Sequence, residues 1–339
     1  MPNGRVFFAV ALLAAALLFP AQARADVQYF RFSISTYQPG PPKYTGKLPS
    51  PKTKGGVYEV TRDALKRVSG VAIYRDGKKL TETVYQYTGS AKLSSGYKFY
   101  RNGALEESGK YQRDASGQVS RADYYTAQGA LTGYWTGTHT PTEIDGTSYS
   151  DKGTVTSHSQ SFYDSKGVLI RAKYYETADN TIYYDTKYDP ASGLSMSQSK
   201  WDKGKQVSEE RYSHDSYGDL TRIDVFDPAT NKPYGRKEYS DGLRRKDSYN
   251  FTDGSTKEID YIYDSQRILS SAKMLANGTL VCTFTFDRLP DGTIKRTLAT
   301  GADGQLWAEY PDNQVTNVYN DGTSVDNKPG TIYKTGKWY

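Results

Sequence analysis

The chain has 339 residues, and its 44 Lys and Arg against 38 Asp and Glu give a formal net charge of +6. That charge is weak and dispersed along the chain, which argues against a nucleic-acid partner. A single cysteine excludes an intramolecular disulfide, and 31 tyrosines beside sparse Leu, Ile and Met favour a thin β-sheet over a thick globular core.

Residues 1–25 have the pattern of a secretory signal peptide. A positively charged start precedes an apolar run over residues 6–19, and Ala23-Arg24-Ala25 fits the small-x-small cleavage rule. The apolar run is shorter than the roughly 20 residues needed to span a bilayer, which disfavours an uncleaved anchor. We therefore predict cleavage between Ala25 and Asp26, and a periplasmic or secreted mature chain with no transmembrane segment.

Residues 26–56 combine a predicted strand, from Val27 to Thr36, with a proline-rich stretch. Proline has no backbone donor for a β-ladder, so we expect the stretch to be an extended linker or a strap along the rest of the chain. Its prolines are Pro39, Pro41, Pro42, Pro49 and Pro51.

One turn motif recurs along residues 57–322: an aromatic residue, a variable residue, Asp or Asn, and then Gly. Tyr74-Arg75-Asp76-Gly77 and Tyr319-Asn320-Asp321-Gly322 are the first and last copies. Asp-Gly and Asn-Gly pairs tolerate the positive φ angles of tight hairpin turns, so each copy predicts a hairpin. The glycines that we assign to structural turns include Gly77, Gly103, Gly167, Gly193, Gly242, Gly254, Gly292 and Gly304.

The turn glycines recur at a regular step. Gaps of 11 to 14 residues, or roughly double that, give about 12.6 residues per step between positions 77 and 304. Two vacant slots are filled by Asn180 and Asn231, and Asn is the commonest non-Gly residue in the left-handed region. On this register we expect Gly103→Val to destabilise the protein more than Gly109→Val.

The step predicts the fold class. A four-residue turn leaves about eight residues for a strand, which is an ordinary strand length, and Ile259, Tyr261 and Tyr263 show the apolar alternation of a strand. We predict an all-β, elongated antiparallel repeat sheet, a β-meander or solenoid-like arrangement that either stays open or coils. Residues 57–322 form the repeat domain and residues 323–339 a C-terminal tail.

Longer turns carry a family resemblance. Tyr163-Asp164 followed by Gly167 and Leu169, and Tyr188-Asp189 followed by Gly193 and Leu194, resemble the YD repeat of Rhs-type proteins. The shorter turns are similar to the MORN-like repeats of a bacterial antitoxin-type family. The resemblance implies a β-rich repeat scaffold of the bacterial envelope or secretome. Large Rhs proteins enclose a C-terminal toxin, but only 17 residues follow Gly322, so we expect no toxin cargo.

No catalytic constellation is evident. His139, His158 and His214 lie in Ser-, Thr- and Asp-rich contexts without a nucleophile elbow or a zinc-ligand spacing. Most Asp residues lie in turns, where they cap the backbone. We therefore expect no enzyme activity, no catalytic or metal site and no cofactor. Alternation around Cys282 predicts a buried thiol. A basic cluster, which we interpret as a solvated strand face, comprises Arg236, Lys237, Arg244, Arg245 and Lys246.

Four aromatic doublets are the candidate binding surface. Adjacent residues on a strand point to opposite faces of the sheet, so one ring of each doublet can pack while the other stays available. Exposed rings stack on sugar rings or anchor a protein partner, and the alternative role is cross-strand packing. The doublets are Tyr124-Tyr125, Tyr134-Trp135, Tyr174-Tyr175 and Tyr183-Tyr184.

Three functions remain open on the sequence alone. The first is a non-enzymatic secreted or periplasmic repeat scaffold that binds a protein or an envelope glycan. The second is an immunity or antitoxin-like partner of a secreted toxin. The third is a protein that binds cell-wall polysaccharide or, less in keeping with the missing catalytic pair, hydrolyses it.

Overall fold

The computed structural model describes residues 26–36, 40–51, 54–177, 180–289, 294–311 and 331–332. The predicted signal peptide, Pro39, Gly292, the turn at 319–322 and the tail after residue 332 lie outside the described residues. Within the described ranges the regular elements are all β-strands, and no helix there is long and apolar enough to cross a membrane.

The strands follow one another with short turns between most of them, as the 12.6-residue step predicts. They are β1 (Asp26–Ile34), β2 (Lys43–Leu48), β3 (Gly56–Arg62), β4 (Val68–Arg75), β5 (Lys78–Gln86), β6 (Gly96–Arg101), β7 (Ala104–Arg113), β8 (Val119–Thr126), β9 (Leu131–Thr140), β10 (Glu143–Ser150), β11 (Val155–Tyr163), β12 (Leu169–Tyr175), β13 (Ile182–Tyr188), β14 (Ser195–Asp202), β15 (Lys205–His214), β16 (Leu220–Phe226), β17 (Pro233–Ser240), β18 (Leu243–Asn250), β19 (Thr256–Tyr263), β20 (Leu269–Ala276), β21 (Thr279–Arg288), β22 (Ile294–Gly301), β23 (Leu306–Pro311) and β24 (Thr331–Ile332).

The chain divides into two compact units, residues 1–156 and 157–339. In unit 1, β3 to β10 pair consecutively and antiparallel, while β1 pairs with both β3 and β2. In unit 2, β11 to β24 pair consecutively and antiparallel. The predicted all-β antiparallel meander is therefore confirmed in each unit.

The prolines of residues 26–56 flank a strand. Pro41 and Pro42 precede Lys43–Leu48, and Pro49 and Pro51 follow it. The strand itself contains no proline, so its backbone donors are available to pair with β1. A segment that we expected to be a linker thus contributes β2 to the sheet.

Two kinds of turn connect the strands. Asp76-Gly77 and Asn102-Gly103 are two-residue turns in which both residues have positive φ, 50° and 81° in the first pair and 49° and 82° in the second. Both residues positive is the type I′ geometry that matches strand twist. Longer turns use an Asp: the Asp114 carboxylate accepts hydrogen bonds from the backbone N–H groups of Ser116 and Gln118.

Every turn glycine named above that the structure describes has positive φ, and so do Asn180 (57°) and Asn231 (52°). Arg267, which stands where a YD-type turn has glycine, also has a positive φ of 66°. The turn spacing read from the sequence therefore matches the backbone geometry even where glycine is replaced.

Each unit has a small apolar core on one face of its sheet. In unit 1, Val60, Val68 and Val71 are buried together, with Tyr58 and Tyr85 packed against them. The unit 2 core lies on β19 to β23 and includes Ile259, Tyr261, Ala272, Met274, Cys282, Phe284, Ala299, Ala308 and Tyr310. The buried thiol of Cys282 is thus confirmed, and burial raises its pKa to about 12.

Candidate ligand-binding groove

Five aromatic side chains from five successive strands of unit 1 line one cavity of about 410 Å³. They are Tyr85 on β5, Tyr97 on β6, Tyr111 on β7, Tyr124 on β8 and Trp135 on β9. Thr83, Ala122 and Gly40 also line this cavity. We call the five aromatic side chains and the space between them the aromatic groove.

Strand register places these rings on one face of the sheet. Tyr85 lies opposite Tyr97, and Gly109 lies opposite Tyr97 on one side and Tyr124 on the other. Residues directly opposite each other in an antiparallel pair point to the same face. The first row of the groove therefore runs across four strands, with a glycine in place of the third ring.

A second row crosses the neighbouring positions. Tyr111 lies opposite Ala122, which lies opposite Trp135. Two strand spacings separate the backbones of Tyr111 and Trp135 by about 9.5 Å. Ala122 between them is only 3% exposed and has a single methyl group as its side chain. The two large rings therefore stand on either side of a low floor, which forms a slot.

Two of the rings lie directly over glycine. A Cβ added to Gly109 would be 2.2 Å from Tyr97 Cε1, with two more atoms of the Tyr97 ring within 2.9 Å. A Cβ added to Gly146 would be 2.2 to 2.5 Å from three atoms of the Trp135 indole, and Gly137, opposite Gly146, is covered by the same ring. Because several ring atoms are close to each Cβ position, each ring rests on the backbone with one of its faces.

The groove is polar at its hydroxyls and lacks charge. Burial, and then a hydrogen bond that the Tyr97 hydroxyl donates to Glu107, raise the pKa of Tyr97. Burial also raises the pKa of Tyr85 to about 12 and raises the pKa of Tyr111 and of Tyr124. These phenols are therefore neutral at physiological pH. None of the described residues that line the cavity has a charged side chain.

The partner residues of the first two doublets lie on the opposite face and are packed. Tyr134 stacks on Tyr149 with ring centroids 4.8 Å apart and an interplanar angle of 14°. The Arg121 guanidinium lies 3.9 Å from the Tyr134 ring centroid, and the Lys110 ammonium lies 5.1 Å from that of Tyr125. Of the eight doublet residues, only Tyr124 and Trp135 thus line the groove.

The other two doublets belong to unit 2 and line neither cavity that we describe. Tyr174 is 42% exposed. Tyr175 stacks on His158 with ring centroids 4.6 Å apart and donates a hydrogen bond to Gln160.

The Tyr183-Tyr184 doublet departs from the predicted alternation. Its ring centroids are 4.1 Å apart, and the Tyr184 hydroxyl donates to the Tyr183 hydroxyl over 3.2 Å. In the pairing of β12 with β13, Tyr174 lies opposite Tyr184 and Tyr175 opposite Ile182, so Tyr183 is the extra residue of a β-bulge. A bulge breaks the two-residue alternation, which is why both rings lie together.

Three groove residues, Tyr85, Tyr97 and Tyr111, escaped the sequence analysis because none of them belongs to a doublet. A signal for them exists: the groove positions 85, 97, 111, 124 and 135 are separated by 11 to 14 residues, the same gaps as the turn glycines. Residues one repeat step apart occupy equivalent positions on successive strands. Aromatic residues in phase with the turns would therefore have located the groove.

The basic cluster of unit 2 is not wholly a solvated face, contrary to our interpretation. The side chains of Lys237 and Arg244 are only 15% and 18% exposed. The Lys237 Nζ lies 2.6 Å from Glu210 Oε1, and Arg244 pairs with Asp247, whose side chain is fully buried. Lys237 lies opposite Asp247 in the register, so it points to the same buried face.

The histidines make structural contacts. The His139 Nε2 lies 2.7 Å from the Val119 carbonyl oxygen, and the His158 Nδ1 lies 2.5 Å from the Asn180 Oδ1. Burial lowers the pKa of His214. The part of the chain that the structure describes contains no group of three or more His, Cys, Asp or Glu side chains placed to hold a metal ion.

A second cavity, of about 710 Å³, lies at the turns of unit 2. Val207 and Phe251 in its lining are 42% and 48% exposed. Lys205 and Asp227 bring charges of both signs to the lining, and the only other ring there is that of Tyr234. This cavity lacks the ordered rows of rings that define the aromatic groove.

Comparison with known proteins gives no family. No family model matches the chain, and no curated protein matches it. Among solved structures, a TcdB2-TccC3-TEV chain is 14% identical with a TM-score of 0.25, over 75% of this chain and 17% of that one. A TcdB2-TccC3 chain is 10% identical with a TM-score of 0.23, over 84% of this chain and 24% of that one.

A third match is a porin-like protein from Bacteroides uniformis, 10% identical with a TM-score of 0.18, over 66% of this chain and 85% of that one. This chain spans less than a quarter of either TcdB2-TccC3 chain. At such TM-scores the likenesses carry no argument about function, which therefore depends on the geometry of the groove.

Proposed function

We propose that this chain is a non-enzymatic, secreted or periplasmic β-repeat scaffold of YD/MORN-like type that binds its ligand in the aromatic groove. The observation that carries the proposal is the convergence of five rings from five consecutive strands on one uncharged cavity. Concave sites lined by aromatic residues with a few polar groups are the usual form of ligand sites.

Two further features support the proposal. The leader-like residues 1–25 favour an extracytoplasmic location. The repeat turns hold successive strands in a fixed register, so rings from distant points of the sequence are pre-positioned on a rigid sheet, and little conformational entropy is lost on binding. A rigid aromatic platform of this kind serves binding without requiring a catalytic residue.

The test is affinity capture from the native envelope with three forms of the tagged mature protein: wild type, Trp135→Ala and Tyr134→Ala. These two residues are neighbours on β9 and face opposite sides of the sheet. We expect Trp135→Ala to reduce the captured ligand at least tenfold and Tyr134→Ala to leave it near the wild-type amount. Equal capture by wild type and Trp135→Ala would contradict the placement of the site.

A further inference from the structure

From the shape and chemistry of the aromatic groove, we infer that its ligand is a neutral linear glycan whose sugar rings stack on Tyr97 and Trp135. This inference rests on the proposed function, since it names the ligand class for the same site. Three properties of the groove point to a neutral glycan.

The first property is the exposed face of each ring. Tyr97 and Trp135 are backed by the glycine backbone of Gly109 and of the opposed Gly137 and Gly146. A ring supported on one face presents its other face to the cavity. The electron-rich face of an aromatic ring attracts the partly positive C–H groups of a sugar ring, and backbone support fixes the ring in the orientation that stacking requires.

The second property is the distribution of hydroxyls. In the described part of the chain, the hydroxyls of Tyr85, Tyr111 and Tyr124 show no hydrogen bond to another residue, whereas that of Tyr97 donates to Glu107. A neutral phenol is both a donor and an acceptor. Sugar hydroxyls have the same dual capacity, whereas a purely apolar ligand would leave these groups unpaired at a cost in free energy.

The third property is the absence of charge. The described residues that line the cavity are Tyr, Trp, Thr, Ala and Gly. An anionic polysaccharide would lose its solvation there without gaining a cation partner, which is unfavourable in a partly desolvated site. The charged side chains of this region, Lys110 and Arg121, instead contact Tyr125 and Tyr134 on the opposite face. The groove is therefore complementary to uncharged sugar residues.

The slot sets the arrangement of the chain. Tyr111 and Trp135 stand about 9.5 Å apart across Ala122, and Tyr97 and Tyr124 stand at a similar separation across Gly109. Rings that recur at every second strand can contact successive residues of one extended polymer. A linear glycan fits such a row better than a single compact molecule.

The experiment is titration calorimetry of the mature protein with neutral hexasaccharides of glucose and of N-acetylglucosamine in different linkages, and with polygalacturonate as the anionic probe. We expect at least one neutral hexasaccharide to bind and polygalacturonate not to bind. Gly146→Ala, which would displace the Trp135 indole without removing it, should weaken binding at least tenfold. Gly70→Ala, where an added Cβ has its nearest atoms 3.8 Å away, should not change it.

The outcomes separate this inference from the proposed function. If no neutral hexasaccharide binds, or if the ligand captured from the envelope is a protein, the glycan inference is wrong. The proposed function would still stand if envelope capture is lost in Trp135→Ala. If envelope capture is the same in wild type and Trp135→Ala, both fail.

Discussion

The ring of Tyr97 lies on Gly109, the residue directly opposite it on the next strand, so closely that a Cβ at Gly109 would be 2.2 Å from the Tyr97 Cε1. This contact corrects our expectation that Gly109 tolerates substitution. Gly103 is required for its positive φ of 82°, whereas an added Cβ there meets open space. Gly109 is required because an aromatic ring occupies the position of its missing side chain.

The two glycines should therefore respond differently to alanine. Gly103→Ala places a side chain in the left-handed region and should lower the free energy of unfolding by about 1 kcal/mol without changing ligand binding. Gly109→Ala should displace the Tyr97 ring and weaken binding severalfold. Urea denaturation and ligand titration of both variants measure the two effects, and a Gly109→Ala protein that binds normally would contradict the role of Tyr97.

Arg267 offers the converse experiment, because it holds a φ of 66° in a turn that elsewhere uses glycine. Arg267→Gly should raise the free energy of unfolding by roughly 1 kcal/mol, since strain is removed. The exposed hydrogen bond that its guanidinium donates to the Asp241 carbonyl oxygen offsets little of this gain. Gln266→Gly, at the adjacent position without positive φ, is the control and should not stabilise. A less stable Arg267→Gly protein would show that the hydrogen bond outweighs the strain.

The buried ion pair of unit 2 should be sensitive to loss of one partner. Burial raises the pKa of Asp247, while hydrogen bonds from Arg244 and Tyr261 act in the opposite direction. Asp247→Asn would leave the Arg244 guanidinium, only 18% exposed, without its counter-ion. We expect a loss of about 3–5 kcal/mol in the free energy of unfolding.

The matched control for Asp247→Asn is a surface pair. Arg101 and Glu106 are paired over 3.0 Å, with side chains 58% and 49% exposed. Glu106→Gln should cost less than about 1 kcal/mol because solvent screens this pair. Similar losses in the two variants would argue that burial of the unit 2 pair has no energetic consequence.

Stability should fall at alkaline pH. Burial raises the pKa of Tyr85 and of Tyr188 from 10.0 to about 12, and that of Cys282 from 9.0 to about 12. A group whose pKa is raised in the folded state keeps its full contribution below the unfolded pKa and loses it as the pH rises through the folded pKa. For Tyr85 this amounts to roughly 3 kcal/mol.

The free energy of unfolding should therefore be insensitive to these groups below pH 9 and should decrease between about pH 10 and 12. Urea denaturation across this range measures the decrease, and tyrosinate absorbance reports whether ionisation coincides with unfolding. Ionisation of most tyrosines near pH 10 with the fold intact would contradict the burial of their hydroxyls.

The sequence predicts the fold of this chain better than its site, and the reason is physical. A positive φ has a local residue signature, so Gly103 or Asn180 can be recognised without knowing any neighbour. Strand register has no such signature, because it depends on which residue lies opposite. The meeting of Tyr97 with Gly109, and the β-bulge that brings Tyr183 beside Tyr184, therefore became visible only in the structure.

The prolines and charges follow the same rule. The sequence shows where Pro42 and Pro49 lie, but not that the residues between them pair with β1. Likewise, the sequence shows five cations in a cluster, but only the register places Lys237 on the buried face opposite Asp247. Alternation along one strand is readable from sequence, whereas burial depends on the neighbouring strand.

The most direct test of the aromatic groove as the binding site is a residue-specific signal that needs no disruptive substitution. The chain has four tryptophans: Trp135 in the groove, Trp201 and Trp307 in unit 2, and Trp338 outside the described residues. Fluorine NMR of protein labelled at tryptophan, with each resonance assigned by a Trp→Phe variant, would follow all four during titration with the captured ligand. We predict that the Trp135 resonance shifts in a saturable manner while those of Trp201 and Trp307 do not. A saturable shift at Trp201 or Trp307 with Trp135 unchanged would contradict the account.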